Sequence, residues 1–551
     1  MRFSSKYKFL SIAFGMTLPN MVMAQNNSTD TVIKTQEFNV YQIYTPEIAK
    51  PIKKKLTPQL PTFDTINPVY RYEVPPQTIQ YIYQSVAIKP LALGVEKTDL
   101  MYENYVKAGV GNYSSIMLDA GITALKTDRL QTLFHIKHLS QKGGALYRQS
   151  SNTQVDATVY YQMENHDLIA EASIFRNGNA YYGINGDPTA SAGNIDDFKQ
   201  RYFGANAKVG LQNINHTDKY EYLPTVGAGV YTDKYKAQEI NFNFDLPFDY
   251  VLNDKVKLGA IAHAEITTLK VGDLDAVANN YFTIAPRAKV HLNKTDLYLS
   301  FKPTWAKEGV FYLLPDFKVK TPIVGGKFVV HGGFTGQLIQ NTFQQLTTKN
   351  PFLYNRYDVK QTKELKLYAG LDASIKNNIS FGGTIAWNQW DNLPVFLNDY
   401  SHTSEGRYYK IEYGKRIQAI TLDAYFKYQY SEKIALIGTG AWTNFIAKDN
   451  LSKIYHEPQV KLGVEVQTRL VKGLSVNAKI DYWDRVFYKN KFDDTKKLPS
   501  FVDISLQGEY ALIPRLSLFL QVNNLLNNQY ARWNQYPVYG TTIIGGLRFK
   551  F

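Results

Sequence analysis

Cysteine is absent from all 551 residues, so the chain has no disulfide, no thiolate metal site and no lipid-modified cysteine anchor. Long apolar runs are missing too. The best candidate, residues 9–18, is too short to cross a hydrocarbon core of about 30 Å as a helix. Acidic groups are the minority charge, 48 against 62 Lys and Arg, which leaves a formal net charge of +14. That balance suits phosphate-rich lipid head groups or an anion-conducting path. Nucleic-acid binding would need an accessible, soluble basic face. What the chain has in excess is aromatic: 14% of residues, with 41 Tyr, in a sequence that is mildly hydrophilic overall. A wall wet on one side and belted by aromatics at two interfaces has this composition, whereas a soluble globular protein rarely does.

Arg2, Lys6 and Lys8 precede the short apolar run, and Val22 and Ala24 occupy the small-residue positions before Gln25. This is the pattern of a secretory signal peptide over 1–24. Cleavage after Ala24 removes three basic and no acidic residues, taking +14 to +11. From Gln25 the composition shifts. Pro46, Pro51, Pro58, Pro61, Pro68, Pro75, Pro76 and Pro90 punctuate the next stretch, so 25–103 reads as an extended, proline-rich arm, periplasmic or bound in a lumen.

Beyond Asn104 the period is two. Val155, Ala157, Val159, Tyr161 and Met163 alternate with Asp156, Thr158, Tyr160 and Gln162, and Leu365 to Ile375 repeats the pattern. Short turns are expected near 126–128, 164–167, 213–220, 252–255, 293–296, 320–326, 376–378, 431–433, 471–473 and 511–514. Each joins two strands; with a first strand at 105–111 and a last at 541–551, the count is 22. An even number leaves both termini on the periplasmic side and places the long connections outside the cell. Pro303, Pro315 and Pro322 interrupt the pattern and are the weakest point of this count. The expected fold is therefore all-β: a transmembrane antiparallel β-barrel of about 22 strands over 104–551, with the arm before it.

The last strand places Ile543, Gly545, Leu547, Phe549 and Phe551 on one face and Thr542, Gly546, Arg548 and Lys550 on the other. Ending on Leu547, Phe549 and Phe551, it resembles the terminal insertion signal of bacterial outer-membrane barrels, which implies the outer-membrane insertion machinery as a partner. The tail VNNLLNNQYARWNQYPVYGTTIIGGLRFKF, the segment from Phe317 to Leu353 and NYVKAGVGNYSS from Asn104 resemble Bacteroidetes-type TonB-dependent receptors. That resemblance implies the outer membrane of a Gram-negative cell and a transport or receptor role, with TonB as a partner. The arm is too short and too proline-rich to be the folded plug of such a transporter. VIKTQEFNVYQIYTPEI, from Val32, has the β-prone character needed to add to a TonB edge.

Chemistry is sparse. Nine His are scattered, and His135 and His138, three apart on a strand, face opposite sides and cannot share a metal. GVG at 109–111 lacks the third glycine and the helix of a dinucleotide loop. Asp196 with Asp197 and Asp493 with Asp494 fall in expected external loops, where solvated charge is the simpler role. No Ser, His and Asp grouping emerges, so neither an enzyme nor a cofactor is expected. Candidate lumen-facing residues are Asp156, Glu171, Asp245, Glu265, Lys366, Asp372, Asp423, Lys427, Lys461, Glu465 and Arg548, together with Asn241, Asn243 and His263. Two functions remain open: transport or reception through the lumen, or a barrel blocked by its arm or a partner within a larger outer-membrane assembly.

Overall fold

Strand Tyr105–Gly111 pairs antiparallel with Ser115–Lys126 on one side and with the last strand, Thr542–Lys550, on the other. The sheet therefore closes on itself. The structure, a computed structural model, describes residues 104–183, 195–213, 219–354, 359–375, 378–401, 406–431, 433–448 and 451–551. The expected signal peptide and arm lie outside the described residues. Twenty-two strands form the wall, the number expected from the turns. Two short pieces, Tyr220–Tyr222 and Val277–Ala278, extend the same 24-stranded sheet. Closure satisfies every strand edge, which is what permits a sheet to cross a bilayer.

The period of two fixes the faces. In the last strand Ile543, Leu547 and Phe549 are 45%, 47% and 46% exposed, while Thr542 and Ile544, on either side of Ile543, are buried. The same exposed apolar row continues through Val155, Phe242, Leu299, Leu367 and Val464 on other strands. An apolar belt of this extent around a soluble protein would be a large liability, and around a membrane barrel it meets lipid. At the seam the backbones approach closely. A Cβ on Gly111 would lie 2.0 Å from the Ile543 carbonyl oxygen, and one on Gly546 2.0 Å from that of Ala108.

Prolines leave a visible mark. Between Tyr281–Leu292 and Thr295–Trp305 the ladder lapses from Ile284 to Pro286 and from Phe301 to Pro303, then resumes at Arg287 opposite Ser300. Pro286 and Pro303 have no N–H to give there, and the Ser300 hydroxyl donates to the freed Pro286 carbonyl at 2.8 Å. The strands persist because each proline loses a bond to one neighbour only.

One rim carries short turns. The other carries long connections with structure of their own: helix Phe343–Lys349 and the hairpins Leu393–Asp399/Tyr408–Gly414, Phe487–Lys489/Thr495–Lys497 and Ala531–Trp533/Tyr536–Pro537.

Candidate functional site

Tyr202, Tyr231 and Glu239, from three successive wall strands, converge on helix Phe343–Lys349, which identifies their face as the concave one. Glu239 is fully buried and accepts from the N–H groups of Phe343 and Gln344 at the helix start. An acceptor carboxylate there meets the positive end of the helix. Thr342 and Gln345 add a reciprocal capping box. The Tyr231 hydroxyl meets Thr347 Oγ1 at 2.8 Å, and the Tyr202 hydroxyl donates to the Pro351 carbonyl at 3.0 Å.

Around this helix the long connections pack into an aromatic core at the barrel's outer end. Tyr181, Phe343, Phe396, Tyr409 and Tyr536 are essentially inaccessible to water. Phe352 stacks on Tyr536 with centroids 3.5 Å apart, and Tyr409 packs edge-on against Trp533 at 5.4 Å. Asn279 and Gln340 tie two connections by reciprocal side-chain amide to carbonyl bonds of 2.7 and 2.6 Å. His456 sits inside this cap. Its Nδ1–H donates to the Phe396 carbonyl at 2.9 Å, which leaves Nε2 to accept from the Asn534 N–H at 3.4 Å; the Tyr409 hydroxyl, 3.3 Å from Nε2, donates to the Asn534 carbonyl at 2.9 Å. Burial pushes its pKa down from 6.5 to about 4, against the upward pull of the Phe396 carbonyl bond and the Glu457 charge. For neighbouring Glu457, burial acts upward, but Lys349, Lys461 and Arg532 outweigh it and hold the carboxyl below its usual value.

Below the cap, the strand periodicity puts each candidate from Asp156 to Arg548 on the concave face, opposite the apolar belt. They do not gather into one site. Several form carboxylate–histidine bridges between strands: His135 lies 2.8 Å from Asp119 and 3.9 Å from Asp156, His263 lies 2.5 Å from Asp245 and 3.8 Å from Glu265, and His331 lies 3.1 Å from Asp372. Tyr425 donates to Asp372 at 2.8 Å. Asp423 and Lys461 flank Ala441 in one row, and Lys366 lies 5.7 Å from the Tyr368 ring. Glu465 accepts from Gln467 and Asn477, Arg548 lies 3.4 Å from Glu509, and Glu171 stands opposite Lys208. Lys427 stands opposite Ser380 on the neighbouring strand.

Sequence reasoning missed the densest charge on this face. Asp249 accepts from Arg287 Nε and Nη2, both at 2.8 Å, and from Lys289 at 2.7 Å; Asp316 is shared by Lys302 at 2.7 Å and Lys318 at 2.9 Å. The alternations at Arg287, Lys289 and His291 and at Asp316, Lys318 and Lys320 were the available signal. Among the described residues no group of three or more side chains is arranged to hold a metal.

Closed wall, apolar belt and loop-covered mouth together define a 22-strand outer-membrane barrel. Solved structures share that fold. The FrpB iron transporter from Neisseria meningitidis matches at TM-score 0.64 with 11% identity over 82% of this chain and 82% of its own. A mutant ferric enterobactin receptor, PfeA, from Pseudomonas aeruginosa matches at 0.59 with 12% identity over 82% and 80%. The siderophore receptor PirA from Acinetobacter baumannii matches at 0.61 with 10% identity over 82% and 80%. No protein-family model matches the sequence, and no curated protein does.

Proposed function

We propose that this barrel is an outer-membrane receptor or transporter, related to the TonB-dependent type, whose lumen is gated from outside by its loop cap. The observation that carries this is the pairing of a packed aromatic cap with a charged concave wall. A wall meant only to hold lipid apart needs neither. The named functions of FrpB, PfeA and PirA support a receptor or transport role; TonB is the partner that the resemblance of the sequence to TonB-dependent receptors implies. No catalytic residues are assigned. The candidates from Asp156 to Arg548 serve as the polar lining of the path, and Leu547, Phe549 and Phe551 as the strand read by the insertion machinery.

One observation favours a second reading. A cap whose aromatic rings are fully buried closes the mouth as firmly as a domain core, which suits a blocked subunit of a larger assembly. Planar-bilayer conductance separates the two, using the mature chain beside one lacking 25–103. Steps in both chains, or only after the deletion, support the path. Silence in both overturns it in favour of the assembly subunit.

A further inference from the structure

The concave wall holds a row of cations on neighbouring strands that, with Arg287 and Lys302, outnumber the carboxylates they share. Lys257 stands directly opposite Lys289, Lys289 opposite Tyr298, and Tyr298 opposite Lys318, so four consecutive strands contribute Lys, Lys, Tyr and Lys at one level. Lys320 stands in the next row, opposite Asp296. Like charges placed directly across a strand pair repel, and three carboxylates shared among five cations offset that only in part.

Burial decides which charge the lumen meets. Asp249 and Asp316, which hold Lys289 and Lys318, have side chains only 5% and 4% exposed, whereas Lys257, Lys289 and Lys318 are 38%, 41% and 46% exposed. Each buried carboxylate is also divided between two cations: Asp249 between Arg287 and Lys289, Asp316 between Lys302 and Lys318. Lys257 pairs with Glu221, whose side chain is 48% exposed and so a weak, screened partner. The negative charge is thus sunk in the wall and the ammonium groups are displayed above it. Lys318 lies 4.8 Å from the Tyr298 ring, which fixes it beside a hydroxyl able to donate a further hydrogen bond.

We infer that Lys257, Lys289, Tyr298 and Lys318 form a binding strip for a small multivalent oxyanion bearing phosphate or carboxylate groups. One strand step is about 5 Å and two are about 10 Å, so charged groups at those separations on one ligand can engage two or three lysines together. Lysine provides point charges with several free donors, which suits oxyanions of varied shape. The strip is independent of whether the lumen conducts, since it requires only that solute reach the wall.

The test is calorimetric titration of the purified mature chain in detergent, at low salt, with sodium pyrophosphate and separately with citrate. The variant Lys257→Gln/Lys289→Gln/Lys318→Gln leaves Asp249 with Arg287 and Asp316 with Lys302, so no buried carboxylate is orphaned. A charge-matched control changes Lys137, Lys208 and Lys479 to Gln elsewhere on the barrel. At least tenfold weaker binding in the row variant, with the control within about twofold of the parent, is expected; preference for pyrophosphate or citrate then assigns the phosphate or carboxylate class. Absence of binding to both probes by the parent, or equal weakening in the two variants, overturns the strip. Should the triple variant not give a barrel spectrum by circular dichroism, Lys289→Gln alone serves, with a threefold or greater weakening expected and an unchanged affinity overturning the inference.

Discussion

Gly259 makes room for the best-formed ion pair in the wall. A Cβ there would fall 2.3 Å from Asp249 Oδ1 and 2.1 Å from the Phe248 carbonyl oxygen, so only glycine lets Arg287 reach across its strand to Asp249. Gly259→Ala should cost about 1–3 kcal/mol in reversible urea unfolding of the barrel in lipid vesicles, and an unchanged midpoint would show that the pair does not depend on that space. Facing matters equally. Arg in place of Val155, Leu367 or Val464 on the lipid face should cost about 2–4 kcal/mol near the midplane in the same measurement, and Arg at Thr158 on the concave face clearly less. Gly463, also concave, is unsuitable as that comparison, because its Cβ would lie 2.7 Å from Thr439 Oγ1. Equal costs on both faces would contradict the orientation of the wall.

Among elements, the loop cap and the terminal strand respond to different perturbations. His456 titrates near 4 in the folded cap and at 6.5 when released, so its stabilising effect is complete above 6.5 and is lost as pH falls from 6.5 toward 4, by up to about 3 kcal/mol. Glu457, held low, keeps its own stabilising effect in full above its ordinary 4.5 and loses it only at lower pH, so between 6.5 and 4.5 this histidine accounts for the slope of the pair. The protection factors of 451–459 in hydrogen exchange, corrected for the fall in intrinsic exchange rate with pH, should therefore drop between pH 7 and 5, and His456→Asn should flatten that response; wild-type protection factors unchanged over this range would exclude the histidine. At the other end Phe551 stacks on Phe549 and its N–H donates to the Asn104 carbonyl at 2.9 Å. Deleting Phe551 should lower the amount of barrel in the outer membrane while leaving secretion intact, as read by fractionation, and normal levels would argue against its role in insertion. The strands were legible in the sequence because each needs only its own period of two, and 105–111 was legible to the residue. The cap was not. Phe352 and Tyr536, or Asn279 and Gln340, meet through a closure that no local pattern encodes, and the His135, His263 and His331 bridges depend on strand registers set by the turns.

For the molecule as a whole, the hairpin Leu393–Asp399/Tyr408–Gly414 sits in the cap yet contributes nothing to the wall, since Ile379–Asp391 pairs directly with Ile417–Ser431. Replacing 393–414 with a short turn should leave the barrel intact and open its outer end, raising single-channel conductance in planar bilayers; conductance unchanged from the parent would mean that other connections alone close the mouth. The pairing of the first strand with the last has a kinetic consequence. Neighbouring hairpins join across a few residues, but Tyr105 meets Lys550 only after the whole intervening chain is in place. Bringing those ends together costs about 5 kcal/mol in chain entropy if the loop is still flexible, and far less once the intervening hairpins have zipped in sequence. Closure is therefore the natural last step of assembly. Until it happens, the wall keeps two unpaired strand edges, those of Tyr105–Gly111 and Thr542–Lys550, to which a helper protein or a second nascent barrel could add by strand pairing.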